Sequence, residues 1–339
     1  MEVGSFPTSA HPAHWLVVIV VLLMNVSVLL WLNHRKAKAG IITRHTWAAK
    51  RVAYWAYMIL ASALVCYLDL KFEVTEAVFC VRTYLLVFPL GLIDFYFAEC
   101  RRVDLKVIAG SGLWCLTMYL RVCIVRQLVG PGKIAILSDF STASLLKEAL
   151  RYVVVLIFVG IFGDLIFSPA HRLAHHRRVY AYQHKVHHEY TNNLTALVLY
   201  HGSMFDDFLM PLTVAIGAVI FAILVHWSGL DGTLGTSNLT EMLMLFNTLF
   251  AHAHDVRCAN LMFPLPAFLN FSAYHVVHHL NPDKNFGLTL PSDIIWDKLL
   301  GVKTAIDPAA FEAEMKEKRL GAAPTLLENR AKHREAEKY

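Results

Sequence analysis

Polar residues thin out seven times along this 339-residue chain. Apolar runs cover 13–32, 52–70, 78–98, 107–125 and 150–168, then 208–227, with a shorter one at 239–251. A helix rises about 1.5 Å per residue, so about 20 apolar residues cross the roughly 30 Å hydrocarbon layer of a bilayer. The longer runs have that length and charged flanks, and predict membrane-spanning helices. The run at 239–251 fits a span, a re-entrant segment or a helix lying flat. The first run contains no acid, Lys or Arg and ends against His34, Arg35, Lys36 and Lys38. It is too long for the apolar part of a secretion signal and no small-residue cleavage site follows it cleanly, so it reads as a span.

Composition agrees. The chain is 56% hydrophobic with a mean hydropathy of +0.47, and only 17% of it is charged. A soluble domain is nearer a quarter charged. The segments between runs split by charge: "HRKAKAGIITRH", "ECRRVDLK", "HRLAHHRR" and the region after 251 are basic, whereas "LDLKFEVTEA" and "GPGKIAILSDFSTASLLKEA" are not. These alternate as the positive-inside rule requires, which puts the basic ends and the histidines on the cytosolic face. The net charge of +5 then belongs to a rim facing the membrane, and no basic stretch interleaved with aromatics points to nucleic acid. The six cysteines are scattered with no C-x-x-C pair and read as small core residues in a reducing compartment. The expected architecture is all-α, a polytopic membrane helix bundle with a cytosolic histidine-rich cap holding a di-metal site. Residues 1–150 supply N-terminal transmembrane helices, 151–306 the catalytic region, and 307–339 a charged cytosolic tail.

Histidine carries the chemistry. The stretch "HRLAHHRRVYAYQHKVHH", 171–188, holds six of the chain's 18 histidines. His171 and His175 form H-x-x-x-H, with His176 beside them. His184, His187 and His188 form H-x-x-H-H, and His275, His278 and His279 repeat it. Positions three and four apart share a helix face, so each group is expected to present its imidazoles to one point. Eight imidazoles exceed what one zinc takes, and two metals fit the count. Nitrogen ligands without cysteine suit iron, zinc, copper or nickel alike. His201, and His252 and His254 of "AHAHD", are candidates for additional ligands or for side chains that orient one. Asp164, two helical turns before His171, is a candidate hydrogen-bond partner of a ligand. Isolated histidines such as His11, His14, His34 and His226 read as interfacial polar residues. Phe205, Phe208, Phe246 and Phe271 read as helix packing before they read as an apolar tunnel.

"HRLAHHRRVYAYQHKVHHEY", "FLNFSAYHVVHHLNPDKNFG" and "WDKLLG" together closely resemble the fatty acid hydroxylase superfamily, which includes sterol desaturases, methylsterol oxidases and alkylglycerol monooxygenase. The resemblance implies a non-haem di-iron centre, two Fe ions, at the cytosolic face of the endoplasmic reticulum membrane. There O2 is used to hydroxylate or desaturate a sterol or fatty-acyl lipid in lipid biosynthesis. It puts the ligands on His171, His175, His184, His187, His188, His275, His278 and His279, with His254 as an additional box histidine. "DKNFG" before Trp296 and Asp297 is more similar to the alkylglycerol monooxygenase branch, which makes an ether lipid the alternative substrate. The implied partners are membrane lipids and an electron donor such as cytochrome b5 or a reductase.

Such chemistry needs a redox-active metal, because acids and bases of a protein cannot break an unactivated C–H bond and zinc does not change oxidation state. Arg172, Arg177, Arg178 and Lys185 flank the boxes and are suited to an acidic carrier or to anionic head groups. A metal transporter is the alternative from another class, but it would hold its ligands near the bilayer midplane, not at helix ends beside arginines. A haem protein needs only two axial histidines, and no H-E-x-x-H marks a zinc protease.

Overall fold

The computed structural model of the chain describes residues 11–39, 47–72, 74–98, 102–129, 140–190, 195–230, 237–251, 271–307 and 310. Their secondary-structure elements are all helical. Helices α1 (Pro12–Ala39), α2 (Trp47–Lys71), α3 (Glu76–Phe97), α4 (Lys106–Val129), α5 (Thr142–Ala174) and α7 (Met204–Trp227) contain the six segments long and apolar enough to cross a membrane. Between α5 and α7 lie the four-residue α6 (Tyr180–Gln183) and two 3-10 turns, His187–Glu189 and Ala196–Tyr200. Helices α8 (Asn238–Ala251), α9 (Phe271–Leu280) and α10 (Leu290–Leu300) follow. At 14 residues α8 is about 21 Å long, too short to cross unaided. His252 and His254 lie outside the described residues, as do 311–339 of the tail.

The helices outrun their apolar runs. The last turn of α1 carries Lys36 and Lys38, cations that complement the negative end of the helix dipole. Helix α5 spans 33 residues, so its final turns project His171 and Arg172 beyond the apolar part.

Chain reversal sorts the connections into two ends. At one, Lys36 Nζ donates to the Ala98 carbonyl at 2.5 Å, Asn33 exchanges two 2.9 Å hydrogen bonds with the Val103 backbone, and the Tyr190 hydroxyl accepts from Asp104 N at 3.2 Å. The basic segments and the histidine boxes therefore share this end. At the other, Arg82 pairs with Asp69 at 2.6 Å and reaches His14 Nδ1 at 2.7 Å.

Between helices in lipid the hydrophobic effect supplies little drive, so packing rests on close approach and on satisfied polar groups. Helices α5 and α7 meet at Gly163 and Gly217, where a Cβ on Gly217 would lie 2.3 Å from the Gly163 nitrogen. Asp94 in α3, fully buried, accepts from Lys50 at 2.5 Å, from the Tyr54 hydroxyl at 2.9 Å and from Ala196 N at 2.6 Å. This cluster fastens the 3-10 turn Ala196–Tyr200 to the bundle, and removing one partner of such a buried pair costs about 3–5 kcal/mol. Leu16, Ile19, Leu23, Ile59, Leu60, Leu146 and Leu150 point outward, as a lipid-facing band requires. Phe205 is exposed and Phe246 is fully enclosed in the core.

Pro169 sits inside α5 and has no N–H to give the carbonyl of Leu165 four residues earlier. The Trp296 indole donates to that freed carbonyl at 3.0 Å, and Ser292 Oγ donates to the Asp164 carbonyl at 3.1 Å. These two bonds dock α10 on α5.

Candidate metal centre

The histidine groups come from three places. His171 lies in the last turn of α5, of which His175 is the C-cap; His184 caps α6, with His187 and His188 on the following 3-10 turn; His275, His278 and His279 occupy the second half of α9. The second box is thus a helix end followed by a 3-10 turn, where one helix face was expected. Ligand nitrogens of His171, His175, His184, His188 and His278 lie within 4.8 Å of one another, and those of His187, His275 and His279 form a second set on the same criterion. The sets adjoin, with the His188 and His279 rings stacked at 4.5 Å.

Each H-x-x-H-H box therefore serves both sets, which corrects the expectation that a box converges on one point. In the second box the i,i+4 pair His184 and His188 joins the five-membered set and His187 the other. In the third, His275 and His279 form an i,i+4 pair in the three-membered set and His278 crosses over. Adjacent residues of a helix point about 100° apart, so neighbouring imidazoles diverge.

Outer partners fix which ring nitrogen faces inward. The Phe286 carbonyl lies 2.6 Å from His171 Nδ1, the Lys284 carbonyl 2.7 Å from His278 Nδ1, and the His201 carbonyl 3.3 Å from His187 Nδ1. A carbonyl only accepts, so each of these Nδ1 atoms carries the proton and each Nε2 presents a lone pair. His184 Nδ1 donates to the Asp206 carboxylate, 2.9 Å from both oxygens. Burial, then the neighbouring imidazoles, holds the pKa of His184 and His278 well below 6.5. Burial also lowers His175 to about 4 and His188 to about 3. The rings are therefore neutral near pH 7.

His171 Nε2 and His184 Nε2, both left bare by their protonated Nδ1 atoms, face each other at 2.8 Å; His278 Nε2 lies 3.0 Å from His175 Nε2, and His187 Nε2 lies 3.2 Å from His279 Nε2. Facing lone pairs repel unless a cation lies between them, which is the state of a metal-ligating imidazole. Ligand nitrogens about 2.1 Å from an ion stand about 3.0 Å apart at right angles and about 3.4 Å apart at the tetrahedral angle. The observed separations of 2.8–3.2 Å are close to those of nitrogens that share one ion.

A loop stands behind the sets. Asn285, fully buried and at φ 52°, donates to the Tyr274 and Ile306 carbonyls at 3.3 and 3.1 Å and accepts from Ile306 N at 2.7 Å. It holds the carbonyls of Lys284 and Phe286 against His278 and His171. Asp164 accepts from Leu288 N at 2.6 Å and from the Thr289 hydroxyl at 2.5 Å, so it reaches the loop where an imidazole was expected. Asp293 accepts from Ser168 Oγ at 2.6 Å, Tyr274 at 2.9 Å, Gly287 N at 2.9 Å and Arg172 at 2.9 Å. Arg172 also pairs with Asp297 at 3.0 Å and covers the Phe286 ring, so it is part of this scaffold and not a free docking cation; Arg177, Arg178 and Lys185 are exposed.

His176 is exposed and outside both sets. His201 is buried, but its Nε2 faces Glu189 at 3.2 Å, and it meets the centre through its backbone carbonyl. A small cavity of about 20 Å³ opens onto His171, His184, His187 and His275, with Trp114, Phe167, Leu199 and Met210 as its apolar walls and Asp206 and Asp207 at its edge.

Residues 155–302 match the family model for fatty acid hydroxylase. The chain is also similar to lathosterol oxidase of Homo sapiens, 30% identical over 164 residues, which are 48% of this chain and 48% of that protein. It is also 26% identical over 163 residues to methylsterol monooxygenase 1 of Gallus gallus, covering 46% of this chain and 49% of that protein. The matches span about half the length of each relative. No solved structure matches the chain. All eight imidazoles of the two sets fall inside the residues that match this family model.

Proposed function

We propose that the chain is an integral membrane oxidoreductase that uses O2 to hydroxylate or desaturate a lipid. In this reading two irons are held, one by His171, His175, His184, His188 and His278, the other by His187, His275 and His279 with His254 as a further ligand. The observation that carries the proposal is the convergence of eight imidazoles in two adjoining sets, with the bare Nε2 lone pairs of His171 and His184 opposed at 2.8 Å, beside a largely apolar cavity. Iron bound there would supply electrons to dioxygen and remove hydrogen from an unactivated C–H bond.

The protein's own part is positional. The Phe286, Lys284 and His201 carbonyls and the Asp206 carboxylate fix tautomers and ring planes. Trp114, Phe167, Leu199 and Met210 hold hydrocarbon against the imidazoles and keep bulk water away. The names of the two relatives, a lathosterol oxidase and a methylsterol monooxygenase, favour a sterol-type substrate over an ether lipid. The basic end is proposed to face the cytosol from the endoplasmic reticulum membrane, where exposed Arg177, Arg178 and Lys185 meet an acidic electron carrier such as cytochrome b5 or a reductase.

The test is product analysis of membranes expressing the chain, supplied with NADH, carrier and candidate sterols with and without O2. An O2-dependent hydroxylated or newly unsaturated lipid, absent in His184→Ala and His278→Ala, is expected. Radiolabelled zinc or iron uptake into proteoliposomes without any such product would establish a transporter instead.

A further inference from the structure

Beyond Trp114 the cavity at the histidines is followed by a second, of about 60 Å³, and Trp114 lines both. On α7 the first is lined by Asp206, Asp207 and Met210 and the second by Pro211, Val214, Ala215 and Ala218, so one succeeds the other along a single helix. From 206 to 218 the helix climbs about 18 Å. The second cavity is mainly apolar, except that Arg121 of α4 and Glu241 of α8 meet on its wall at 2.6 Å. Their side chains are 17% and 7% exposed.

The pair ties α4 to α8, as buried pairs do elsewhere in the bundle, and it also faces the cavity. Apolar residues of similar volume are commonly as stable as a buried pair or more so, and ionisable groups inside a membrane protein usually mark a functional path. The pair carries no net charge. Arg121 has N–H groups beyond the one Glu241 takes, and the carboxylate has lone pairs beyond the one it uses. A lipid carboxylate would be repelled by Glu241 and an amine by Arg121, whereas a hydroxyl both donates and accepts and suits the two together.

We infer that this second cavity is the polar-anchor subsite of the substrate, binding a lipid alcohol by its hydroxyl between Arg121 and Glu241. The inference rests on the lipid-oxidising reading above. The hydrocarbon then passes Trp114 and reaches the imidazoles. Arg121 lies seven residues from Trp114, about 10 Å along α4.

The test measures binding of radiolabelled hexadecan-1-ol and lathosterol, each against its own O-methyl ether, to the full chain in detergent. Wild-type protein is expected to bind at least one alcohol about tenfold or more tightly than its ether. Arg121→Met and Glu241→Gln are expected to cut that preference below about twofold at unchanged iron content. Ala215→Phe keeps the ion pair and fills the cavity, and is expected to abolish binding of the preferred alcohol. Equal binding of alcohol and ether, no binding of any probe, or a preference that survives both ion-pair variants would overturn the anchor. Iron content and O2-dependent product measured on the same preparations report separately on the parent reading. Iron-loaded, active protein without alcohol preference loses only the anchor, and protein without iron or product loses the enzyme.

Discussion

Asp206 offers the sharpest test of how the centre is built. His184 is 2% exposed and Asp206 is 4% exposed, and the carboxylate takes the His184 Nδ1 proton with both oxygens at 2.9 Å. In Asp206→Ala that N–H loses its acceptor in a buried site, an arrangement that costs about 1–3 kcal/mol. The ring can recover the bond only by turning, which takes Nε2 away from its position 2.8 Å from His171 Nε2. Loss of a partner that orients a ligand imidazole typically costs about 10–100-fold in metal affinity, or about 1.4–2.8 kcal/mol, so the two estimates agree. Asp206→Asn keeps one accepting oxygen but loses the charge and the second oxygen, and should fall between wild type and Asp206→Ala. The assay is iron affinity of purified protein by competition with a chelator of known strength. Wild-type affinity in Asp206→Ala, or weaker binding in Asp206→Asn than in Asp206→Ala, would refute the orienting role.

Other consequences are as direct. A Cβ on Gly110 would lie 2.1 Å from the Tyr200 carbonyl oxygen, so Gly110→Ala should push the 196–201 segment away, costing about 1–3 kcal/mol of overpacking and releasing His187 from the His201 carbonyl; a melting temperature and iron content equal to wild type would contradict this. His175 and His188 titrate at about 4 and 3 in the fold, below the ordinary 6.5. The unfolded chain therefore takes up protons first, and metal-free protein should lose stability steadily as pH falls from 6.5 towards 3, an expectation that a flat or rising melting temperature from pH 7 to pH 5 would refute. Arg172→Met should lower stability by breaking the links to Asp293 and Asp297, whereas Arg177→Ala with Arg178→Ala should leave stability alone and raise the KM for the electron carrier.

The boxes could be read from sequence because imidazoles three and four residues apart are rare without a cause, and the spans because a bilayer demands long apolar runs. Where each imidazole goes could not be read that way. The spacing that puts His184 and His188 on one side turns His187 to the other, and that split emerges only once α9 supplies His278 to one set and His275 with His279 to the other. Asp206 escaped notice because an acid in the first turn after the Ser203 cap is an ordinary helix-start signal. The orienting carbonyls of Lys284, Phe286 and His201 are backbone atoms, invisible to a search for side chains. Asp164 and Arg172 were singled out for the right neighbourhood, and their partners, the 287–289 loop and Asp293 and Asp297, lie more than a hundred residues away.

The central claim is that two adjoining sets of imidazoles each grip an iron. Metal analysis of detergent-purified protein reconstituted with ferrous iron without oxygen tests it most directly. The account predicts about two irons per chain in the wild type and about one in His279→Ala, whose nitrogen serves only the three-membered set. Zinc alone, a single ion in the wild type, or two irons retained in His279→Ala would contradict it.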